Sequence, residues 1–347
     1  MDTNASAPLR NVAIGYTANL PVSDPGAFVE RDLPVPEPAP GEVVVAVEAV
    51  SVNPVDVKQR AHADPGGFRV LGYDAAGTVV AVGGEGPAGS VGYQVGDEVW
   101  YAGSVARPGS DQRYQAVEAR LVGRKPRTLG FAAAASLPLT ALTAWEAVFD
   151  RLGVREDDEG DLLVVGATGG VGSVLLQLVR ARAPRVRTIA TASGDDAARW
   201  VRELGAAETV DHHAGDLEER VLALAPDGVR WVFTSHSAGQ VETYARVVAP
   251  FGAVVAIDDG ARDVAPLKER SVAWHWEFMF TDALHAPSST RQRGILDALA
   301  GLVDAGAVRP TVTTTLGPLS AETLREAHRL VETGHVTGKV VVAGWPG

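Results

Sequence analysis

One run of the sequence combines a short apolar segment, a glycine-rich turn and an apolar pattern with helical spacing. Leu162–Val165 are four consecutive apolar residues, which is typical of a strand buried on both faces. Beyond the turn, apolar residues recur with helical spacing at Val171, Val174, Leu175 and Leu178. Strand, glycine turn and helix in this order form the context of a dinucleotide-binding fingerprint, and they indicate an α/β fold.

The glycines of this turn have separate expected roles. The G-x-G-x-x-G template lies over Ala167, Gly169 and Gly172, with alanine in place of the first glycine. Gly169 would allow the backbone to approach a diphosphate, and Gly172 would allow the helix to pack close to the strand. The start of the helix would offer free N–H groups and a partial positive charge to phosphates. A tight strand–helix connection without any ligand is the alternative interpretation. The predicted cofactor-binding residues of the turn are Ala167, Thr168, Gly169, Gly170, Val171 and Gly172.

Composition restricts the classes of partner. The chain has 347 residues, a net charge of −12 and no cysteine, and its length suits about two domains. The negative charge argues against nucleic acid or an anionic membrane as the main partner. Disulfides, iron–sulfur clusters and cysteine-ligated zinc require cysteine and are therefore impossible. A chain without disulfides suits a reducing compartment, so we expect a cytoplasmic protein. Met1–Pro8 is small and polar, which indicates a frayed tail rather than a signal peptide.

The first third of the chain is rich in short β patterns, glycine and proline. Glu42–Val52 alternates apolar and polar residues, as a half-buried strand does. Asn53 and Pro54 then predict the start of a helix or turn, with a capping side chain followed by proline at the first helical position. Leu71–Gly83 and Gly96–Trp100 each combine a turn with a strand. These features predict a small, irregular, β-barrel-like domain.

From Phe131 onward, helical and apolar patterns alternate. Phe131–Leu152 is predicted to be helical, with Pro138 interrupting the helix. Short apolar strands then alternate with helices, which predicts a parallel, doubly wound sheet. The predicted strands are Leu162–Val165, Arg187–Ala192, Thr209–Val210, Trp231–Thr234 and Val254–Ile257.

The segment Val272–Phe280 alternates without a break and places its aromatic residues on one face. Such a pattern predicts a buried strand of the sheet. A strand that also forms a subunit contact is the alternative.

Several motifs follow one another in an order that resembles a known superfamily. They are Asn-Pro-x-Asp at 53–56, G-Y-D-A-A-G-T-V-V-A-V-G at 72–83, G-D-E-V-W at 96–100, S-L-P-L-T-A-L-T-A-W-E-A at 136–147, A-T-G-G-V-G at 167–172 and T-G-K-V-V-V at 337–342. In this order they resemble the medium-chain dehydrogenase/reductases over nearly the whole chain. The quinone oxidoreductase branch is the most similar, and within it the subgroup often labelled zinc-type alcohol dehydrogenase-like, because of residues 107–110 and 274–280.

The resemblance implies a fold and a division into domains. It implies a Rossmann doubly wound parallel sheet together with a β-rich, GroES-like catalytic domain. Residues 137–286 would form the Rossmann dinucleotide-binding domain. Residues 1–136 and 287–347 would form the GroES-like substrate domain. A homodimer through the aromatic strand near Trp274 is also expected from the resemblance.

The zinc sites of related enzymes are not matched by this chain. Zinc-using relatives carry a cysteine near Asn53, Gly-His-Glu in place of Gly72–Asp74, and a third ligand near Pro138 or Leu139. This chain has no thiolate or imidazole at those positions, and the four clustered cysteines of a structural zinc lobe are absent. We therefore expect no bound zinc. The pair His212–His213 is expected to cap a strand end rather than to bind a metal.

The ribose end of the site indicates which dinucleotide is used. NAD-binding folds place an acidic residue at the end of the second strand, and Thr188–Gly194 contains none. Ser193 would leave room for a 2′-phosphate, and Arg199 could supply a positive charge one helical turn further on. Asp195 and Asp196 would repel a phosphate unless they only occupy the first turn of the helix. These residues favour NADPH over NADH; Arg199 as a solvated helix residue is the alternative.

The resemblance assigns further residues to the cofactor. Thr143 is similar to the residue that flanks the nicotinamide in this superfamily. Ser235 and Ile257 follow strand ends, where the ribose and the carboxamide would pass. Lys339 would approach the cofactor from the other domain, with a plain surface lysine as the alternative.

Two residues are predicted to act in catalysis. By resemblance, Asn53 lies at the floor of the cleft and would orient a substrate, although a helix cap explains it equally well. Tyr73 takes the place of a lost zinc ligand, and its hydroxyl would either face the substrate or pack beneath the turn. With no ligands for a Lewis acid, we expect zinc-independent hydride transfer to a small-molecule quinone or α,β-unsaturated carbonyl (an enone).

Two other functions remain open from the sequence. Enoyl-thioester reductases of the superfamily carry a tyrosine acid after Asn-Pro-x-Asp, but Arg60–Gly67 contains no tyrosine, and His62 is its only histidine. The missing tyrosine argues against enoyl-thioester reduction but does not exclude it. A non-catalytic NADP-binding sensor or structural module is the second alternative, because the same fingerprint would serve it.

Overall fold

A computed structural model describes residues 10–211 and 217–346 of the chain. Met1–Pro8 and His212–His213, for which the sequence predicts a tail and a strand cap, lie outside these residues. The described part is built around a six-stranded parallel sheet and a seven-stranded, mostly antiparallel sheet, with a three-stranded sheet beside the second.

The N-terminal part consists of short strands and short helices. They are β1 (Asn11–Tyr16), β2 (Val29–Leu33), β3 (Glu42–Val52), α1 (Pro54–His62), β4 (Arg69–Val70), β5 (Ala75–Val82), β6 (Glu98–Tyr101), β7 (Tyr114–Glu118), β8 (Val122–Arg124), α2 (Phe131–Ala134) and α3 (Pro138–Trp145). The predicted strand at 42–52 and the helix start at Asn53 and Pro54 are confirmed. Pro138 interrupts the helical stretch as predicted, because it is the first residue of α3.

The middle of the chain alternates strands and helices. Its elements are β9 (Gly160–Val165), α4 (Gly170–Arg182), β10 (Val186–Thr191), α5 (Asp195–Leu204), β11 (Glu208–Val210), α6 (Leu217–Leu224), β12 (Val229–Thr234), α7 (Val241–Val247), β13 (Val248–Ala256), β14 (Ala273–Trp276) and α8 (Thr281–His285). The six strands are parallel in the order β11-β10-β9-β12-β13-β14. This is the doubly wound order of dinucleotide-binding folds, so the predicted fold class is confirmed. Leu162, Leu163 and Val164 of the central strand are fully buried.

The C-terminal part returns to the N-terminal sheet. Its elements are α9 (Arg291–Asp304), β15 (Val312–Leu316), α10 (Ala321–Glu332) and β16 (Lys339–Ala343). The last strand pairs with β3, aligning Val340 with Val52, while β15 lies beside it at the edge. The seven-stranded sheet thus combines both ends of the chain. This pairing is the one that the proposed division into domains requires, although the domain boundaries themselves stay predictions.

A long apolar stretch, Phe131–Arg151, runs through the contact between the two parts. It comprises α2, α3 and a π-helical turn at Glu146–Arg151. It is apolar and long enough to cross a membrane by composition alone, but 78% of its most apolar window is buried inside the protein. The stretch is therefore a core helix of this fold.

The aromatic segment 272–280 differs from the prediction of one long buried strand. Only Ala273–Trp276 is extended, as β14, and the backbone then turns into α8. Because β14 is the edge strand of its sheet, Trp276 and Phe278 keep 47% and 49% of their surface exposed. Phe280 turns inward and is buried. The alternation was recognised, but it could not reveal that the strand lies at an edge and ends early.

Candidate functional site

The glycine-rich turn connects β9 to α4 at the carboxyl edge of the parallel sheet. Gly166 makes the tight part of the turn, with a φ of +81° that favours glycine. A Cβ at this position would lie 2.1 Å from the hydroxyl oxygen of Ser235. The first structural glycine is therefore Gly166, one residue before Ala167, where the template was placed. Only the backbone conformation distinguishes the two positions.

The third glycine of the turn allows the helix and the strand to approach each other. A Cβ on Gly172 would lie 2.5 Å from the carbonyl oxygen of Gly166 and 2.6 Å from the Cα of Ala167. The close packing predicted for Gly172 is confirmed, while contacts of residues 167–172 with a cofactor stay predictions.

The turn fits a dinucleotide diphosphate. The first helix N–H groups have no acceptor within a helix, and the helix dipole makes that end partly positive. In α4 these groups belong to a segment that begins with Gly169 and Gly170, so no side chain of those two residues covers them. When bound there, a dinucleotide would place its diphosphate against backbone amides.

The C-terminal sheet contacts this turn directly. The N–H of Gly338 donates a 2.9 Å hydrogen bond to the carbonyl oxygen of Thr168, and Gly169 and Gly338 form a parallel bridge. Lys339 follows at the start of β16, and a Cβ on Gly170 would lie 2.8 Å from its Cδ. The prediction that Lys339 approaches from the other domain therefore agrees with its position. It is not a surface lysine, since it is 4% exposed.

The ammonium of Lys339 lies in a buried polar network. Its Nζ donates to the backbone oxygen of Val52 at 3.1 Å, to Asp74 at 3.2 Å and to the side-chain oxygen of Asn53. These three acceptors match the three hydrogens of an ammonium. On the far side, Asp74 accepts the N–H of Leu139 at 2.7 Å, which attaches the start of α3 to the network.

Burial and ion pairing shift the pKa of Lys339 in opposite directions, and they do the same for Asp74. Burial lowers the pKa of Lys339, and the neighbouring carboxylate of Asp74 opposes that shift. Burial likewise raises the pKa of Asp74, and the ammonium with its hydrogen bonds opposes it. Each group thus offsets part of the cost of burying the charge of the other.

Asn53 is part of this network and also begins α1. Its side-chain nitrogen donates to Asp74 at 2.9 Å and to the backbone oxygen of Ser51 at 3.3 Å. Its backbone N–H donates to the carboxylate of Asp56 at 2.8 Å, which is the cap-side half of a capping box. Burial raises the pKa of Asp56 to about 7. Both amide hydrogens of Asn53 are engaged, so holding Lys339 and Asp74 in place is the role that the geometry supports.

Tyr73 is fully buried next to this network. Its hydroxyl has no hydrogen-bond partner among the described residues, and burial raises its pKa above the ordinary value. Its ring packs edge-on against Phe280, with centroids 5.5 Å apart. A buried hydroxyl without a partner is costly in a folded protein, and such groups mark candidate ligand-binding positions.

Two further predicted cofactor residues, Ser235 and Ile257, lie at the same edge of the parallel sheet, and a third, Thr143, lies in α3. Ser235 follows β12 and donates to the carbonyl oxygen of Val165 at 3.4 Å. Ile257 follows the neighbouring β13, and its N–H donates to the carbonyl oxygen of Thr234. Thr143 lies in α3, with its hydroxyl donating to the carbonyl oxygen of Leu139 at 2.9 Å. Contacts of these residues with a cofactor stay predictions.

The two predicted ribose-binding residues, Ser193 and Arg199, each interact with a different acidic residue. Ser193 follows β10 and donates a 2.9 Å hydrogen bond to the carboxylate of Asp211, which follows β11. Arg199 forms an exposed ion pair with Asp196 at 2.8 Å. The structure therefore brings Ser193 to the edge of the sheet and pairs Arg199 with an acid of the first turn of α5; contacts of both residues with a cofactor stay predictions. Asp211 was missed because its partner is adjacent only in space.

The donor set does not fit a catalytic zinc ion. Asn53, Tyr73 and Leu139 occupy the positions where ligands were expected, and the sequence contains no cysteine. Within residues 10–211 and 217–346, histidine, aspartate and glutamate form no group of three that could hold a metal. Asp74, which stands at one of these positions, is bound by Lys339 and Asn53.

Comparison with known proteins identifies the family. Residues 39–143 match the alcohol dehydrogenase GroES-like domain, and residues 204–342 match the zinc-binding dehydrogenase family. A zinc-type alcohol dehydrogenase-like protein of Staphylococcus epidermidis is 33% identical over 338 residues, covering 95% of this chain and 98% of that protein. The chain belongs to the medium-chain dehydrogenase/reductase superfamily.

Other members of the superfamily are similar over nearly the whole length. The human mitochondrial NAD(P)H oxidoreductase RTN4IP1 is 31% identical over 87% of this chain and 82% of its own. The crystal structure of a putative zinc-dependent alcohol dehydrogenase from Rhizobium etli is 42% identical, covers 98% of this chain and 99% of its own, and has a TM-score of 0.92. A mycobacterial quinone oxidoreductase is 26% identical, covers 96% and 99%, and has a TM-score of 0.80. This medium-chain dehydrogenase/reductase is thus an oxidoreductase with a Rossmann-type dinucleotide-binding domain.

Proposed function

We propose that this enzyme transfers hydride from a reduced nicotinamide dinucleotide to a quinone or an α,β-unsaturated carbonyl compound without a metal ion. One observation carries the proposal. The glycine turn of the parallel sheet meets the buried network of Lys339, Asn53 and Asp74, and by the resemblance zinc-using relatives carry ligands at or next to Asn53 and Asp74. In this proposal the cofactor site borders a buried polar network whose donor set does not suit zinc.

The chemistry of the acceptor follows from this donor set. A bound reduced nicotinamide would supply a hydride, which needs an electrophilic carbon held nearby in a dry cleft. Oxidising a simple alcohol would require a group that stabilises an alkoxide, and zinc serves that purpose in relatives. Quinones and enones delocalise the incoming charge onto their own oxygen, so hydrogen-bond donors are sufficient.

Tyr73 and the residues of the buried network have complementary roles in this proposal. Tyr73 would donate its free hydroxyl proton in a hydrogen bond to the acceptor oxygen. Asn53 and Asp74 would hold the ammonium of Lys339, whose positive charge favours negative charge that develops nearby in a low-dielectric site. Thr143 would lie beside the nicotinamide, as the resemblance predicts.

The proposal also covers the dinucleotide used, the competing functions, the cellular compartment and the oligomeric state. The sequence favours NADPH as the donor, and the assay must present both dinucleotides. Enoyl-thioester reduction and a non-catalytic nucleotide-binding role are the competing functions. A cytoplasmic homodimer is proposed from the absence of cysteine and from the aromatic edge strand β14.

Turnover assays test the proposal. Purified protein is mixed with NADH or NADPH and with quinones, enones, crotonyl-coenzyme A or, in reverse, alcohols with the oxidised cofactor. Loss of nicotinamide absorbance with quinones or enones is expected, unchanged after treatment with a metal chelator. Faster turnover of crotonyl-coenzyme A would assign the enzyme to thioester reduction instead. Tight dinucleotide binding without turnover on any acceptor would favour the non-catalytic role, and stoichiometric zinc in active protein would contradict the metal-free mechanism.

A further inference from the structure

A cluster of buried charged side chains lies where the long helical stretch meets the end of β14. Glu146, the first residue of the π-helical turn, is 1% exposed, and Glu277, the residue after β14, is 4% exposed. Their carboxyl groups form a side-chain hydrogen bond with each other. Two ionised carboxylates cannot make such a bond, because each of them only accepts. One of the two groups therefore carries a proton.

Unpaired oxygens of the two groups support a bound proton. Among the described residues, Oε1 of Glu146 and Oε1 of Glu277 are buried and have no hydrogen-bond partner. The guanidinium of Arg291 lies 3.1 Å from the first of these oxygens, which is close enough for an ion pair but is not aligned for a hydrogen bond. Buried acceptors without a donor are costly, and a proton turns one acceptor of the pair into a donor.

The surrounding charges place this proton on Glu146. Arg151 of the same turn lies 3.1 Å from Glu277, and Arg291, at the start of α9, also pairs with Asp150. The other titratable neighbours of these guanidiniums are Asp282 of α8 and His275 of β14. With both glutamates ionised, four carboxylates would face two guanidiniums among the described residues of this cluster. Burial, and then the charge of Glu277, raise the pKa of Glu146 to about 9, so Glu146 holds the proton at neutral pH.

Glu277 lies at the carboxyl edge of the parallel sheet, where the proposed cofactor site is. Paired residues cross the sheet at this edge in a row that consists of Val165, Thr234, Ala256 and Trp276. Ile257 and Glu277 each directly follow a residue of this row, as the glycine turn does. The N–H of Glu277 donates to the carbonyl oxygen of Ala256 at 3.0 Å, which fixes Glu277 beside the strand end that leads to Ile257.

Glu146 is carried by the helical stretch that contains Thr143. The two residues are three positions apart, which is about one helical turn. The hydrogen bond between Glu146 and Glu277 therefore ties the helix of Thr143 to the strand end beside Ile257. Thr143 and Ile257 are both predicted to lie at the nicotinamide end of the dinucleotide, so this bond sets the distance between the two sides of that end.

We propose that the hydrogen-bonded pair of Glu146 and Glu277 positions the two sides of the nicotinamide end of the dinucleotide site and releases them at alkaline pH. The inference rests on the proposed function only in assuming that a nicotinamide dinucleotide binds at the glycine turn. In this role both glutamates are positioning residues that act through Thr143 and Ile257. When Glu146 loses its proton, two carboxylates meet in a position of low dielectric, and their repulsion moves the helix away from the end of β14.

The pH dependence of dinucleotide binding tests the inference without any turnover. NADH and NADPH are titrated into the full-length protein by calorimetry between about pH 7 and about pH 10, a range that spans the loss of the Glu146 proton. We expect the dissociation constant to rise about tenfold over this range. Glu146→Gln keeps a hydrogen-bond donor that cannot ionise, so it should restore tight binding at alkaline pH. If this variant shows the same rise as the wild type, the inference is overturned and another group, such as the ammonium of Lys339, causes the rise.

Two further variants separate positioning from stability and from net charge. Glu146→Ala removes the hydrogen bond at every pH, so it should bind the dinucleotide about tenfold more weakly already at neutral pH. A lower unfolding temperature of this variant with an unchanged dissociation constant would show a purely structural role and overturn the inference. Glu156→Gln removes one carboxylate from the exposed loop before β9 and should keep the profile of the wild type. If it suppresses the rise as Glu146→Gln does, net charge is responsible and the inference fails.

The wild type alone distinguishes failure of the inference from failure of the proposed function. A dissociation constant that stays constant over the whole pH range would overturn the inference and leave the proposed function intact. If neither dinucleotide binds at any pH, the proposed function itself fails.

Discussion

The ammonium of Lys339 lies 3.2 Å from the carboxylate of Asp74, and both side chains are buried. Lys339 begins the last strand of the chain, while Asp74 precedes β5 of the N-terminal sheet and also accepts the N–H of Leu139 at the start of α3. The pair therefore joins the last strand and the N-terminal sheet to the start of α3, which packs against α4. It stands one residue from Gly338, which bonds to the glycine turn.

Removing only the ammonium should be strongly destabilising. Lys339→Met leaves the carboxylate of Asp74 buried with no cation beside it, and breaking a buried ion pair in this way costs about 3–5 kcal/mol of unfolding free energy. Asp74→Asn combined with Lys339→Met removes both charges and should recover part of the loss. Urea unfolding of the single and double variants gives the coupling energy, expected to exceed about 1 kcal/mol. Strictly additive effects would show that the two charges do not depend on each other.

Gly172 is expected to tolerate no side chain. Gly172→Ala places a Cβ 2.5 Å from the carbonyl oxygen of Gly166, so α4 must move away from β9 at a cost of about 1–3 kcal/mol. Gly301→Ala is the matched control, because Gly301 lies within α9 and a Cβ there meets no atom within 4 Å. That variant should gain about 0.5–1 kcal/mol from helix propensity. Thermal and urea unfolding measure both, and dinucleotide affinity should fall only for Gly172→Ala.

A pair of buried carboxyl groups predicts how stability depends on pH. Glu146 lies in the π-helical turn after α3, and Glu277 follows β14; Arg291 pairs with the first at 3.1 Å and Arg151 with the second at 3.1 Å. Burial, and then the charge of Glu277, raise the pKa of Glu146 to about 9 from an ordinary value of 4.5. Between these values the folded protein keeps a proton that the unfolded chain has lost.

The sign of the effect follows from this difference in bound protons. Stability from Glu146 is fully present below about pH 4.5 and is lost as the pH rises toward 9, by up to about 1.4 kcal/mol per pH unit. Glu146→Gln should remove this slope, so its stability relative to the wild type should increase with pH. Glu37→Gln, in an exposed loop, is the control for loss of one carboxylate. Parallel curves for the wild type and Glu146→Gln would contradict a proton held by Glu146 in the folded state.

The sequence predicted most of the fold because its signals were local. The strand at 42–52 begins and ends where its pattern does, and the helix start at Asn53 and Pro54 and the interruption at Pro138 follow from residues within their own segments. Where the prediction was wrong, at 272–280, the pattern described the alternation of the side chains correctly but contained nothing about the edge of the sheet.

The candidate site was only partly predictable, because its contacts join distant segments. Asn53 and Lys339 were recognised as functional candidates, but their hydrogen bond connects residues 286 positions apart. Asp74 was seen only as a substituted ligand position, although it accepts hydrogen bonds from three different segments. Asp211 follows the third strand in sequence but accepts a hydrogen bond from Ser193, which follows the second strand. No pattern within one segment could have shown these relationships.

The hydroxyl of Tyr73 offers a test that separates catalysis from stability. Tyr73→Phe removes a buried hydroxyl that has no partner among the described residues, so stability should stay constant or rise by about 1 kcal/mol. If this hydroxyl donates to the acceptor oxygen, kcat should fall about 10- to 100-fold while dinucleotide affinity is retained. Tyr101→Phe is the matched control, because the Tyr101 hydroxyl is equally buried but donates to Gln115 at 2.8 Å. That change should cost about 1–3 kcal/mol by leaving a buried amide oxygen unpaired, and kcat should hold. Unchanged kcat in Tyr73→Phe would show that the acceptor oxygen takes its hydrogen bond from another group.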